Sequence, residues 1–342
     1  MNKHPFSIVI PNYNGHDLLA EYLPSVFDAA RHYSDQYEVI IVDDGSKDQS
    51  VDLLRRKYPE AQVLVNERNV GFGESVNRGV KACINRIVVL LNNDVRVEKD
   101  FFGPMLKHFD QERVFAVVAK GLIEQDGIVM NESITRLEFK EGFLNLLQPG
   151  LVNPEEIFEE VCTVAHACGG FSAFDKEKYL ALGGFDSLYY PFYWEDVDIC
   201  YRAWKKGWMS LYEPRSIAHH RCHATIDQFH KKAYVESLHV RNRLLFTWKN
   251  IANDEMIVEH VKALNNYLTT CPETFRQGFN EAIQKMAEVL QRRTKNIMKD
   301  KYTDRDVIRL SANRWVDGER GVVSRMEQLL HSSYKSIRGH LS

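Results

Sequence analysis

Short apolar runs rich in β-branched residues recur at 6–10, 38–42, 62–65, 87–91 and 114–119, and most of the intervals between them repeat apolar residues at helical spacing. The first interval carries Leu18, Leu19, Tyr22, Leu23 and Val26; the second Val51, Leu53, Leu54 and Tyr58; the third Val76, Val80 and Ile84. Each set predicts a helix that lays one apolar side on a sheet. Strands that are apolar almost throughout belong where both sheet faces are covered, so the pattern predicts an α/β chain with a doubly wound, mostly parallel sheet and right-handed crossovers. In such a sheet the ligand sits at the carboxyl ends of the strands.

Beyond the fifth run the pattern changes. Residues 121–160 lack clean periodicity and contain Gly142, Pro149, Gly150 and Pro154, which reads as an insertion of loops and short elements able to fold over a site. A Gly-rich stretch at 168–174 then leads into a short helix, followed by Leu182-Gly183-Gly184-Phe185-Asp186 and an aromatic run that ends Phe192-Tyr193-Trp194. After residue 225 the pattern is almost wholly helical, which divides the chain into 1–225 and a helical C-terminal region, 226–342.

Hydrophobic residues make up 44% and charged residues 27% of the 342, a globular balance that excludes disordered and collagenous chains. The formal charge is −3, but 291–342 hold 12 Lys and Arg against 6 Asp and Glu, so the basic character is confined to the end. The six cysteines form no C-x-x-C pair, which argues against a zinc ribbon and for reduced, mostly buried thiols. The apolar stretch at 6–10 is too short for a signal-peptide core, and the aliphatic run 87–91 is far below the roughly 20 residues that span a bilayer. A cytoplasmic location is expected, with any membrane contact peripheral.

The strand ends are polar. The first run ends in Pro11-Asn12-Tyr13-Asn14-Gly15, the second in Asp43-Asp44-Gly45-Ser46 and the fourth in Asn92-Asn93-Asp94. Between them Asn69-Val70-Gly71-Phe72-Gly73 runs into a helix, without the G-x-G-x-x-G or G-x-x-x-x-G-K-[ST] spacing of dinucleotide and P-loop sites. Glu195-Asp196-Val197-Asp198 opens a later helix, where acids also serve as ordinary caps. A strand ending in His219-His220 follows and offers an imidazole. Asn92-Asn93-Asp94 suits a plain turn, but a hard divalent cation needs oxygen ligands and keeps positions open for substrate phosphates.

Taken in order, SIVIPNYNG, VIIVDDGSKDQS, NVGFGESVNRGV, VVLLNNDV, the block from ACGGF to KKGW and EPRSIAHH resemble glycosyltransferase family 2 over residues 6 to about 225. The N-N-D form and FYWEDVDICYRA are similar to its rhamnosyltransferase-like branch, which serves bacterial surface polysaccharides. The resemblance implies a GT-A fold, a Rossmann-like sheet flanked by helices, and inverting transfer of a hexosyl or deoxyhexosyl group. It also implies a UDP- or dTDP-linked sugar donor, Mg²⁺ or Mn²⁺, and a glycan or lipid-linked acceptor. Asp43 and Asp44 then read the nucleoside, Pro11, Asn12 and Tyr13 line its pocket, and Asn69, Gly71 and Asn77 lie near ribose and diphosphate. Asp94 matches the metal Asp of the D-x-D motif; Asn92 stands where that motif has its first Asp, and Asn93 completes the donor set. His220, six residues after Pro214, is preferred to His219 as metal ligand. Asp196 matches the base, with Trp194, Glu195 and Asp198 as acceptor-binding neighbours.

Two rival readings follow from the same residues. A subunit that binds a nucleotide sugar without reacting is favoured by Asn92, and opposed by Asp94, Asp196 and His220. Nucleotidyl transfer calls for a basic Gly-rich N-terminal loop, and PNYNG has no Lys or Arg. In the tail, Val322, Met326, Leu329, Leu330, Ile337 and Leu341 mark an apolar helix side flanked by Arg320, Arg325, Lys335 and Arg338. It packs on the protein's own helices or rests on an anionic membrane surface. No nucleic-acid motif occurs.

Overall fold

A computed structural model describes residues 3–152, 159–221, 231–296 and 300–312. The first half is the expected alternation: β1 (Phe6–Asn12), α1 (His16–Tyr33), β2 (Tyr37–Asp43), α2 (Ser50–Lys57), β3 (Gln62–Val65), α3 (Phe72–Ala82) and β4 (Ile87–Leu91). Strands β3, β2, β1 and β4 lie side by side and parallel. Every residue of β1 and β4 is buried, as their unbroken apolar character requires of strands covered on both faces. The helices present the predicted stripes, Leu19, Leu23 and Val26 from α1 and Val76 and Val80 from α3. Ile84 departs from the expectation: α3 ends at Ala82, and Ile84 is 81% exposed.

Beyond β4 the chain continues as β5 (Val95–Val97), α4 (Phe102–Leu106), β6 (Val114–Gln125), β7 (Ile128–Asn131), β8 (Arg136–Lys140), β9 (Phe143–Leu147), α5 (Pro149–Val152), β10 (Cys162–Thr163), β11 (Phe171–Asp175), α6 (Lys176–Ala181), α7 (Glu195–Lys205) and β12 (Met209–His220). β11 inserts antiparallel between β4 and β6, and β12 runs parallel to β6. The sheet is therefore mostly parallel with one reversed strand near its middle. β10 pairs antiparallel on the outer side of β12, and β5 caps the far end of β12.

The described part of the segment 121–160 is more ordered than expected. β6 does not stop at Ala119 but runs to Gln125, and β7 folds back along it. The hairpin β8–β9 turns through Glu141 and Gly142, both at positive φ, the backbone of a tight two-residue turn that matches strand twist. These strands are short and only partly covered, so their alternation is too brief to register as a period.

The expected boundary at 225 and the apolar tail helix lie outside the described residues. The described C-terminal elements are helices, α8 (Lys232–Asn250), α9 (Asp254–Tyr267), α10 (Glu273–Gln284), α11 (Met286–Asn296) and α12 (Asp304–Leu310). They share one core with the sheet: Leu244, Leu245, Phe246 and Leu310 belong to the same buried cluster as β1 and β4. Polar ties reinforce the join, Thr163 Oγ1 donating to the Leu310 carbonyl at 2.9 Å and Tyr201 and Lys205 both reaching Asp304 Oδ1. Cys83, Cys162, Cys200 and Cys271 are buried and Cys168 is half-buried, which leaves Cys222 outside the described residues.

Candidate active site

The carboxyl ends of β1, β2 and β4 meet in one polar rim. Asn12 Nδ2 donates to Asp43 Oδ2 at 3.0 Å, and Asn93 Nδ2 donates to Asn12 Oδ1 at 2.8 Å, so three strand ends are stitched side chain to side chain. Gly15 makes this possible, because a Cβ there would stand 2.2 Å from Asn93 Nδ2 and 2.4 Å from Asn12 Oδ1. Asp43 is fully buried, its second oxygen taking the Ser46 amide at 3.0 Å. Asp44 shapes the next loop: its oxygens accept from Asn66 Nδ2 at 2.7 Å and from the amides of Val70 and Gly71 at 2.9 Å each. Gly71 sits at φ 89°, a conformation open to glycine, and delivers the chain into α3. Pro11 is buried in β1, Tyr13 is half-buried beside Asn12, and Asn69 Oδ1 accepts the Gly71 amide at 3.2 Å.

Asp94, just past β4, is 6% exposed, and its Oδ1 is buried with no hydrogen-bond partner among the described residues. His220 Nε2 stands 3.5 Å away, too far for a good hydrogen bond. The other ring nitrogen, Nδ1, lies 2.6 Å from Glu132 Oε1. Burial alone lowers the His220 pKa, but Asp94 and Glu132 outweigh it and lift the imidazole to about 10. Strand alternation sends His219 elsewhere, to Glu98 Oε1 at 3.0 Å. Among the described residues no three His, Cys, Asp or Glu side chains converge as a ready metal cage. The orphaned Asp94 oxygen opposite an imidazole nitrogen fits a hard cation that takes two protein ligands and completes its shell from phosphate and water.

The segment from Cys168 to Phe171 joins this pair to the acidic helix. Asn92 packs against Gly170 and its amide donates to the Gly170 carbonyl at 2.8 Å, while the Phe171 ring lies 5.8 Å from that of His220. One residue earlier, the Gly169 amide faces Asp196 Oδ2 at 3.3 Å. Burial first, then the neighbouring Asp196 and Glu132, push the Cys168 thiol well up. Asp196 is in the first turn of α7, its Oδ1 accepting the Val197 amide at 2.8 Å, and its side chain keeps 17% exposure. His166 Nε2 stands 3.6 Å behind it, in a buried position that lowers the imidazole pKa, an effect Asp196 partly offsets. Glu195 is buried, its Oε2 without a partner among the described residues, and burial, then Asp196, raises it well above the usual carboxylate range. It lines a narrow crevice with Val70, Gly73, Tyr190 and Pro191. Tyr193 and Trp194, at φ 73° and 76°, bring the chain into α7 through two consecutive left-handed residues, a strained entry that the surroundings must hold.

Three expected contacts are corrected by this geometry. Asn77 is buried and turned into the protein, away from a ribose or diphosphate: its Nδ2 donates to the Phe185 carbonyl at 2.8 Å, and its Oδ1 accepts Tyr179 Oη and the Phe185 amide. Asp198 is fully buried and accepts from Lys249, Arg202, Tyr189 and Asn250, so it anchors α7 and does not reach an acceptor. Trp194 is 7% exposed and packs on Phe246 at 5.3 Å between ring centres, a core contact in place of a sugar platform. Glu132, His166 and Lys249 escaped sequence reasoning, since none stands in a patterned motif.

The strand ends of this α/β sheet thus gather a carboxamide ladder, a buried Asp–His pair and a helix-borne carboxylate. The chain belongs to Glycosyl transferase family 2, whose profile matches residues 7–183. It is similar to N-acetylglucosaminyl-diphospho-decaprenol L-rhamnosyltransferase of Mycobacterium tuberculosis, 24% identical over 225 residues that cover 58% of this chain and 73% of that protein. It also resembles undecaprenyl-phosphate 4-deoxy-4-formamido-L-arabinose transferase of Pseudomonas savastanoi, 35% identical over 95 residues, 26% of this chain. The chain spans only 28% of the length of that second relative. Among solved structures, GalNAc-T7 with UDP, GalNAc and Mn²⁺ superposes with a TM-score of 0.56 at 18% identity, covering 84% of this chain and 58% of that one. TarS of S. aureus in complex with UDP-GlcNAc superposes with a TM-score of 0.53 at 14% identity, covering 89% and 90%. The fold is therefore GT-A.

Proposed function

We propose that this protein transfers a sugar, with inversion, from a UDP- or dTDP-linked donor to a hydroxyl of a glycan or lipid-linked acceptor of the cell envelope. The observation that carries the reading is the pairing, around 168–171, of a solvent-reachable Asp196 with the buried Asp94–His220 pair. The carboxamide rim of Asn12 and Asn93, with Asp43 and the Asn69–Gly71 loop, holds the nucleoside diphosphate. Asp94 and His220 would hold Mg²⁺ or Mn²⁺, which when bound stabilises the negative charge growing on the departing phosphate. Asp196 accepts the acceptor hydroxyl proton as that oxygen bonds to the anomeric carbon, and the bond to the diphosphate breaks on the opposite face. A positioned carboxylate contributes about two to four orders of magnitude to such a step. His166 holds Asp196 from behind, and Glu195 lies beside it as an orienting neighbour for the acceptor. The lipid-linked acceptors named for the similar Mycobacterium and Pseudomonas proteins support an acceptor of that class. Because Asp196 touches the reacting proton and not the donor, Asp196→Asn is expected to cut turnover at least about 100-fold while leaving UDP-dependent thermal stabilisation intact. Near-native turnover in a donor-release assay refutes the base assignment.

A further inference from the structure

We infer that Glu132 is a positioning residue for the cation site: it takes the Nδ1 side of the His220 ring and thereby commits Nε2 to the Asp94 side. The inference rests on the reading above that Asp94 and His220 hold a divalent cation, and it adds a residue from the segment between β7 and β8. The geometry is direct. Glu132 Oε1 lies 2.6 Å from Nδ1, and Nε2 points at the unpartnered Asp94 Oδ1, 3.5 Å away. A ring with two inequivalent nitrogens can offer one lone pair to a metal only if the other nitrogen keeps its proton, and a carboxylate on that proton sets both tautomer and ring plane.

The backbone shows that Glu132 is placed for this. Its amide donates to the Gly121 carbonyl at 3.0 Å, its own carbonyl accepts Gln148 Nε2 at 3.1 Å, and next to it Ser133 Oγ accepts the Gly121 amide at 2.7 Å. The Glu132 backbone is thus tied on both sides, to β6 and to the end of the β8–β9 hairpin, and its side chain is 13% exposed. The segment expected to be irregular therefore supplies a fixed carboxylate behind the ring, opposite Asp94.

Manganese titration followed by electron spin resonance, in the presence of UDP, tests this without an activity measurement. Wild-type protein is expected to bind Mn²⁺ and to show ¹⁴N modulation from a directly bound imidazole, which His220→Ala abolishes. Glu132→Ala is expected to weaken Mn²⁺ about 10- to 100-fold and to diminish the ¹⁴N signal at matched occupancy. Glu132→Gln, which keeps the shape and an acceptor oxygen for Nδ1–H, is expected to recover most of both, while Glu132→Leu, which keeps the bulk and removes the acceptor, is expected to repeat the alanine loss and covers the case in which the alanine variant fails to fold. Wild-type protein that binds no Mn²⁺ overturns the metal reading and this inference together. Wild-type binding with ¹⁴N modulation, unchanged in affinity and signal in folded Glu132 variants, overturns this inference alone.

Discussion

Lys249 is the perturbation with the largest expected effect on stability. Its side chain is 1% exposed, and its ammonium lies 2.6 Å from Asp186 Oδ2 and 2.8 and 2.9 Å from the two oxygens of Asp198. Asp198 is fully buried and held well below the usual carboxylate range: burial alone would raise it, but Arg202 and Lys249 outweigh that. Lys249→Met removes one cation from this cluster and leaves a buried carboxylate with Arg202 as its one remaining charged partner at hydrogen-bond distance, at 2.7 Å. Removing one member of a buried pair costs about 3–5 kcal/mol, because the survivor keeps its desolvation penalty without its partner. For a chain of this size each kcal/mol is worth roughly 2 °C, so the melting temperature is expected to fall by about 6–10 °C. Urea unfolding and calorimetry measure this directly. The reasoning also requires Lys249→Met and Asp198→Asn to be non-additive, the double variant costing less than the sum of the singles. A loss below about 1 kcal/mol, or full additivity, refutes it.

Two further perturbations are read from packing and charge. Glu213 is fully buried beside His108 Nε2 at 2.7 Å and Arg215; burial would raise its pKa, but these partners lower it to about 2. Since its folded pKa lies below the unfolded one, its contribution, about 3 kcal/mol, is present above pH 4.5 and is lost as pH falls towards 2. Glu213→Gln is expected to flatten the stability profile in that window, and an equally steep acid limb in the variant counts against the assignment. Gly79 lies where a Cβ would stand 2.4 Å from Val9 Cγ1 and 3.0 Å from Val42 Cγ2, so Gly79→Ala is expected to cost about 1–3 kcal/mol. Val9→Ala in the same chain should return part of that loss, and no recovery would place the strain elsewhere.

Much of the sheet could be read from periodicity. Strands β1 and β4 and the second half of β2 are buried on both faces, so burial wrote itself into the sequence as unbroken apolar runs, whereas the edge strand β3 is partly exposed; α1 to α3 carry the matching stripes. The rim was legible as well, because Asn12, Asp43 and Asn93 follow directly on those runs and meet in space. What stayed hidden depends on contacts between distant segments. β11 enters the sheet between two strands far from it in sequence, and nothing local announces that order. Glu132 and His166 are lone residues in weakly patterned stretches, and only the fold brings them to His220 and Asp196. Asp198 misled for a related reason: an acid in the first turn of a helix next to a candidate base looks like part of the site, whereas its partners Lys249 and Asn250 come from α8.

The left-handed pair Tyr193–Trp194 has a consequence for how the molecule can be divided. Asn242 of α8 donates its side-chain amide to the carbonyls of Tyr189, Phe192 and Tyr193, and Arg241 reaches the Tyr190 carbonyl. The costly backbone that aims Asp196 is thus clamped by a helix lying entirely after the family-matched stretch. Inheritance and cooperativity draw different borders here: the matched stretch ends at 183, before Asp196, and a fragment trimmed to it would surrender both that carboxylate and the helix that clamps its approach.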